Sequence, residues 1–236
     1  MDVARRARGT SAGLDRTRIA EAAVALIDRD GPERFGVRRL ADELGVDPMS
    51  IYHHIKGKAA LLDAVCEAVL AEVGIADGGE SPETRTGTGA GTGAPEGWEE
   101  LARRLAYSYR EMALRHPRIF PLLLTHAQTS PAALSETSPA LVSALERLLT
   151  AMRDAGLDEE LAADAPMVLI SFLNGLLLAR TSGGETGPDA VPTIDAGTHP
   201  TLASLAHRLG GFGSRAEFDR MLDTVLAGLR ARADRA

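Results

Sequence analysis

Between Pro48 and Lys58 the chain gathers residue types suited to gripping a polyanion and reading base edges. Met49 and Ser50 offer a small apolar group and a hydroxyl, which can touch a thymine methyl or bond to a base or phosphate. Tyr52, His54 and Lys58 suit phosphate oxygens, and Arg38 is placed to reach a base or the backbone. Pro48 and His53 complete the candidate reading surface. This chemistry is recognition and not catalysis. The sequence holds no nucleophile–base pair, no metal-ligand spacing and no phosphate loop in a strand–helix context. His53 and His54 are adjacent, so on a helix they point about 100° apart and share no metal. His116, His126, His199 and His207 are scattered, and the single Cys66 lies among the apolar positions of a helix. No metal and no cofactor are expected, and the chain is not read as an enzyme.

Those residues need rigid elements beneath them, and the periodicity supplies helices. Ile19, Ala22, Ala23, Leu26 and Ile27 share one face of a helix from about Asp15 to Asp30, which Gly31-Pro32 stops. A second helix, Val37 to Leu44, turns Val37, Leu40, Ala41 and Leu44 inward and ends at Gly45. Asp47-Pro48, an N-cap followed by proline in the first turn, starts a third that reaches His54 with Ile51 and Ile55 inward. Two short helices joined by Gly45-Val46-Asp47 make a helix-turn-helix, whose second helix enters a major groove. Tyr52 has a second reading, packing between helices. A fourth helix begins near Lys58 and carries Leu61, Leu62, Val65, Val69 and Val73.

The chain of 236 residues has a formal charge of −7. Residues 1–58 hold 11 basic against 9 acidic side chains, while 59–236 hold 15 against 24. Positive charge is thus concentrated at the amino end, and a DNA-binding face needs local positive potential only. One cysteine excludes a disulfide framework. The run Met167–Ala179, interrupted by Ser171, Asn174 and Gly175, falls short of the ~20 residues a bilayer requires. With no signal peptide evident, a cytoplasmic protein without membrane attachment is expected.

Helices are also expected at roughly 96–116, 138–155, 158–181, 201–209 and 214–233, with a helical turn at 119–128. Five segments follow: a flexible basic tail over 1–13, a helix-turn-helix domain over 14–58 and a connecting helix over 59–73. Then come a Gly/Thr-rich linker over 74–97 and a larger domain over 98–236. The stretch Ser182–Pro200 reads as a further mobile segment. The helix at 158–181 is apolar almost all round, which demands burial on more than one side. Phe218, Met221, Leu222, Val225, Leu226 and Leu229 make a clean stripe on the helix at 214–233. Together these two helices point to a homodimer, the alternative being a fully internal helix.

Leu14 to Val73 resembles the DNA-binding domain of the TetR (tetracycline repressor) family. The resemblance rests on Arg-Arg-Leu-Ala-Asp-Glu-Leu-Gly-Val at 38–46, Ser-Ile-Tyr-His-His-Ile at 50–55, Lys-Gly-Lys at 56–58 and Leu-Leu-Asp-Ala at 61–64. Trp98-Glu99-Glu100-Leu101 is similar to the entry of the tetracycline-repressor type of carboxyl-terminal domain. The resemblance implies an all-α, homodimeric regulator, usually a repressor, that binds a palindromic operator in double-stranded DNA and is released by a small-molecule effector. It puts Arg38, Ser50, Tyr52, His54 and Lys58 on operator-contacting positions, and Pro48 and Met49 on the variable positions that read bases. The tetracycline repressor has a histidine near the end of its fourth helix that meets the drug. Gly74 stands at the matching position here, which speaks against tetracycline–magnesium.

Tyr107, Tyr109, Met112, His116, Phe120, Phe172 and Asn174 are the candidates to line an effector cavity, each with the rival reading of plain core. Asn174 needs a hydrogen-bond partner inside its apolar helix. Two other functions remain open at this point: a helical regulator controlled by a protein partner without a small ligand, and an all-helical small-molecule enzyme.

Overall fold

A computed structural model describes residues 13–73, 97–129, 138–182, 194–209 and 214–235. Among them the regular structure is helical, with no strand. The expected basic tail and the Gly/Thr-rich linker lie outside the described residues, as do Gly74, residues 183–193, and the side chains of His126 and His207.

The amino-terminal unit holds α1 (Arg16–Asp30), α2 (Val37–Leu44), α3 (Pro48–His54) and α4 (Gly57–Leu70). Local chemistry sets its boundaries. The Asp15 carboxylate accepts the Arg18 N–H at 2.8 Å and opens α1. Gly31, at φ 85°, closes it, and a single 3₁₀ turn over Pro32–Arg34 leads onward. Gly45 sits in the left-handed region at φ 67°, with its N–H and that of Val46 turned back onto the carbonyls of Asp42 and Ala41. Asp47 accepts the Met49 N–H at 2.9 Å, and Pro48 occupies the first turn of α3.

Packing follows the expected faces. Ile19, Ala23, Leu26 and Ile27 of α1 bury against α2 and α4, together with Leu40, Ala41, Ile51, Ile55, Leu61, Val65 and Val69. Ala22, Val37, Leu44 and Leu62 are only partly buried, at the margin of that core. Cys66 is a core residue; burial pushes its thiol up to about 12.

The second part comprises α5 (Trp98–Arg115), α6 (Phe120–Thr129), α7 (Pro139–Asp154), α8 (Glu159–Ser182), α9 (Pro200–Leu209) and α10 (Arg215–Ala233). α8 packs against α5, α6, α7 and α10. Its 24 residues, Glu159–Ser182, match the helix expected at 158–181 to within a residue at each end. By length and composition alone the whole helix is long and apolar enough to cross a membrane, a test that a core helix also passes. At its amino end Leu161, Ala162 and Ala165 carry the buried face past the acidic Glu159, Glu160 and Asp164.

Three side-chain bridges tie α5 to α10 as an antiparallel ladder. Tyr107 donates to Asp219 at 2.7 Å, Arg103 to Asp223 at 2.6 Å, and Arg230 to Glu99. The spacing of four residues along α5 repeats one face of the helix, which is why all three meet the same partner.

Candidate nucleic-acid interface

α3 is anchored from below by two side chains. Ile51 and Ile55 are 1% and 2% exposed, so the opposite face must point outward. There Met49 is 62% and Tyr52 41% exposed, with His53 and His54 beside them and Pro48 and Ser50 half-buried. The alternative for Tyr52, packing between helices, does not hold.

The basic residues of this unit divide into two groups. Arg29 bonds Glu43 at 2.9 and 3.0 Å and Asp30 at 3.2 Å, Arg39 pairs with Asp30 at 2.8 Å, and Arg16 with Glu67 at 2.9 Å. These links clamp α1 to α2 and α4. The Arg29 guanidinium holds the carboxyls of both Asp30 and Glu43 below the usual carboxylate range, and they in turn raise Arg29. Arg38, Lys56 and Lys58, by contrast, make no ion pair among the described residues and are exposed. They flank α3, and α4 starts at Gly57 with no side chain capping its first amide N–H groups. Such a surface suits phosphates on both sides of a groove-reading helix.

A second feature joins this unit to the larger part. His116, 6% exposed at the end of α5, has Nδ1 2.6 Å from Asp28 Oδ2 and Nε2 3.0 Å from Glu72 Oε1. Arg118 donates to the carbonyls of Asp28 and Arg29 at 3.1 and 2.6 Å, and Arg115 reaches Glu72. The other Asp28 oxygen, Oδ1, is buried without a partner. The last turn of α1 is therefore held by the last turn of α5. His116, a candidate for the effector cavity, has both ring nitrogens taken up here.

The remaining cavity candidates fall into two groups. Tyr109 donates to Asn174 Oδ1 at 2.8 Å and stacks edge-on against Phe120, with rings 5.8 Å apart. Met112 and Phe120 are fully buried beside them. Burial pushes the Tyr109 phenol up, and Asn174 has the partner it needed. Tyr107 and Phe172 instead flank Phe218, at ring separations of 5.5 and 6.5 Å. A shallow recess in this part is lined by Arg110, Leu114, Leu176, Leu177, Arg180 and Phe218 and has room for about one water molecule. None of the expected candidates lines it. The stripe that marked Phe218 as core gave no sign that its ring also faces a recess, or that Arg110 covers it.

Residues 19–65 match the family described as bacterial regulatory proteins, tetR family, and residues 92–233 match the tetracyclin repressor-like, C-terminal domain. The transcriptional repressor DrrR1 of Streptomyces coeruleorubidus is 30% identical, over 97% of this chain and 82% of its own. The class C tetracycline repressor of Escherichia coli is also 30% identical, over 92% and 90%. Among solved structures, apo ActR of Streptomyces coelicolor superposes with a TM-score of 0.71 at 27% identity, covering 96% of this chain and 99% of that one. ActR has also been crystallised with actinorhodin, and that form gives a TM-score of 0.68 at 26% identity over 94% and 99%.

Proposed function

The chain belongs to the tetR family of bacterial regulatory proteins, and from that premise we propose how its residues perform a DNA-binding repressor's task. Two copies present their α3 helices to successive major grooves of a palindromic operator, ~34–36 Å apart. Met49 and Ser50 read base edges with Pro48 setting their approach. Arg38, Tyr52, His53, His54 and Lys58 hold the phosphates and fix the register. The observation that carries this reading is the pairing of an outward α3 face with three neighbouring cations that no carboxylate neutralises among the described residues.

The second copy docks through α8 and α10. Met167, Val168 and Leu178 of α8 and Met221 of α10 stay exposed in the protomer, at 64%, 43%, 37% and 38%. Gly175 and Gly228 lie on the same helices with open space where a side chain would stand. Small residues among exposed apolar ones allow two helices to approach closely, which supports a two-fold bundle. The protein works in the cytoplasm, where its operator is. A small molecule bound in the α5–α10 part favours the state that does not fit DNA, and release follows from that difference in affinity.

The test is a band-shift titration against the DNA flanking the gene. An inverted repeat bound by two chains, with affinity falling steeply as salt rises, is the expected result. Binding one chain per site, or none to any inverted repeat there, would overturn it.

A further inference from the structure

Three consecutive residues in the last turn of α1, Asp28, Arg29 and Asp30, are gripped from two opposite directions. From the larger part, His116 Nδ1 meets the Asp28 carboxylate, and Arg118 Nη1 donates to the carbonyls of Asp28 and Arg29. Pro32 has no N–H, so it cannot give the Asp28 carbonyl the partner a continuing helix would supply. A guanidinium at that end also meets the negative pole of the helix dipole. Arg115 and the second nitrogen of His116 take Glu72, two residues past α4, and fix it beside the same turn. From the other direction the turn holds α2. Arg29 reaches Glu43, and Asp30 reaches Arg39. Through Gly45 and Asp47, α2 leads straight into α3.

The larger part is thus linked to the reading helix by a side-chain joint through the end of α1, alongside the covalent path through α4. Arg29, Arg39, Glu43, Arg115 and Arg118 are all exposed. Exposed ion pairs add little to stability, so what they can set is the angle between two rigid bodies. In a two-fold dimer that angle decides how far apart the two α3 helices stand. One extra base pair between half-sites moves the second groove by ~3.4 Å along the axis and turns it by about 35°. A joint that gives by that much no longer tells one spacing from the next.

We infer that Arg115, His116 and Arg118 are positioning residues for operator spacing, which hold the last turn of α1 and so fix the angle at which α2 and α3 meet DNA. The inference rests on the two-chain operator reading and adds to it the residues that select the half-site separation. None of the three is required to touch DNA.

The test uses the full-length protein and the inverted repeat bound in the band-shift titration, with its spacer shortened or lengthened by one base pair. The unaltered protein should prefer one spacing by about tenfold or more, a step within the usual cost of a defective site. In Arg115→Ala/Arg118→Ala that preference should fall below about threefold, while binding to an isolated half-site is kept. Arg118→Ala alone gives a smaller change in the same direction, and it decides the matter if the double variant does not fold. Arg16→Ala breaks an equally exposed pair, with Glu67, that does not reach the larger part, and it should leave the spacing preference as it was. A second readout needs no DNA. Spin labels on Glu21→Cys of α1 and Glu160→Cys of α8, in chains diluted with unlabelled protein, should give one narrow distance that broadens in the double variant. An unchanged spacing preference without the two arginines, or an unchanged distance distribution, overturns the inference. Failure of the unaltered protein to bind any inverted repeat counts against the repressor reading, and the label distances then decide the joint.

Discussion

His116 Nδ1 and Asp28 Oδ2 stand 2.6 Å apart across 88 residues of chain, and through this contact the end of α5 holds the end of α1. Glu72 closes the other side of the ring at 3.0 Å. His116→Ala leaves Asp28 and Glu72 without the ring whose two nitrogens they meet. A loss of ~2–3 kcal/mol in urea unfolding is expected, below the ~3–5 kcal/mol of a fully buried pair because both carboxylates keep some solvent. In Asp28→Asn/His116→Ala the loss should be smaller than the sum of the single changes; additivity would show the contact carries no coupling.

At the DNA surface the roles separate by salt. Lys58→Ala should weaken binding to matched and mismatched DNA alike and reduce the salt slope by ~1. Ser50→Ala or Met49→Ala should change the preference between sequences by ~1–3 kcal/mol with the slope kept. Fluorescence anisotropy over a salt series distinguishes these, and uniform losses for all three variants would remove the assigned roles.

Gly175→Arg places a long cation on the exposed stripe of α8, where the protomer has room for it. The folded protomer should therefore keep its helicity, while sedimentation shows single chains and operator affinity drops by at least ~100-fold, as half-sites are bound singly. A dimer that survives the substitution would place the interface elsewhere.

Stability should fall at high pH. Cys66 is pushed up to about 12 from an ordinary 9.0, and Tyr109 is raised by burial as well. Above pH ~9 the unfolded chain loses these protons while the folded one keeps them, so the folded state binds more protons and loses stability as pH rises. Cys66→Ala should flatten the decline between pH 9 and 12, measured by urea midpoints. Native Cys66 should also react with a disulfide reagent only as fast as the chain unfolds; immediate reaction would place the thiol outside the core.

Helix ends were legible because single residues write them. Asp15, Gly31, Gly45 and Asp47-Pro48 each satisfy a backbone group within four positions, and the α1–α3 and α10 boundaries fall within a residue or two of expectation, whereas α4 ends at Leu70, three residues before the expected Val73. The inward pair Ile51 and Ile55 was likewise readable from spacing, and it dictates that Met49 and Tyr52 face out. The His116 contacts were not readable, since Asp28 and Glu72 look like ordinary solvent-facing acids on their own helices. A hint was present in His116 standing between apolar Met112 and Ala113 on one side and Ile119 and Phe120 on the other. The Arg110–Phe218 recess left no trace, because it forms only where three helices converge.

Ile51 and Ile55 are the buried mounting of α3, while Met49 on its outer side is 62% exposed. The address we propose for the outer side of that helix is thus free to drift while its mounting is kept. Exchanging those few letters should redirect the molecule to another promoter without refashioning the body that listens for the chemical cue.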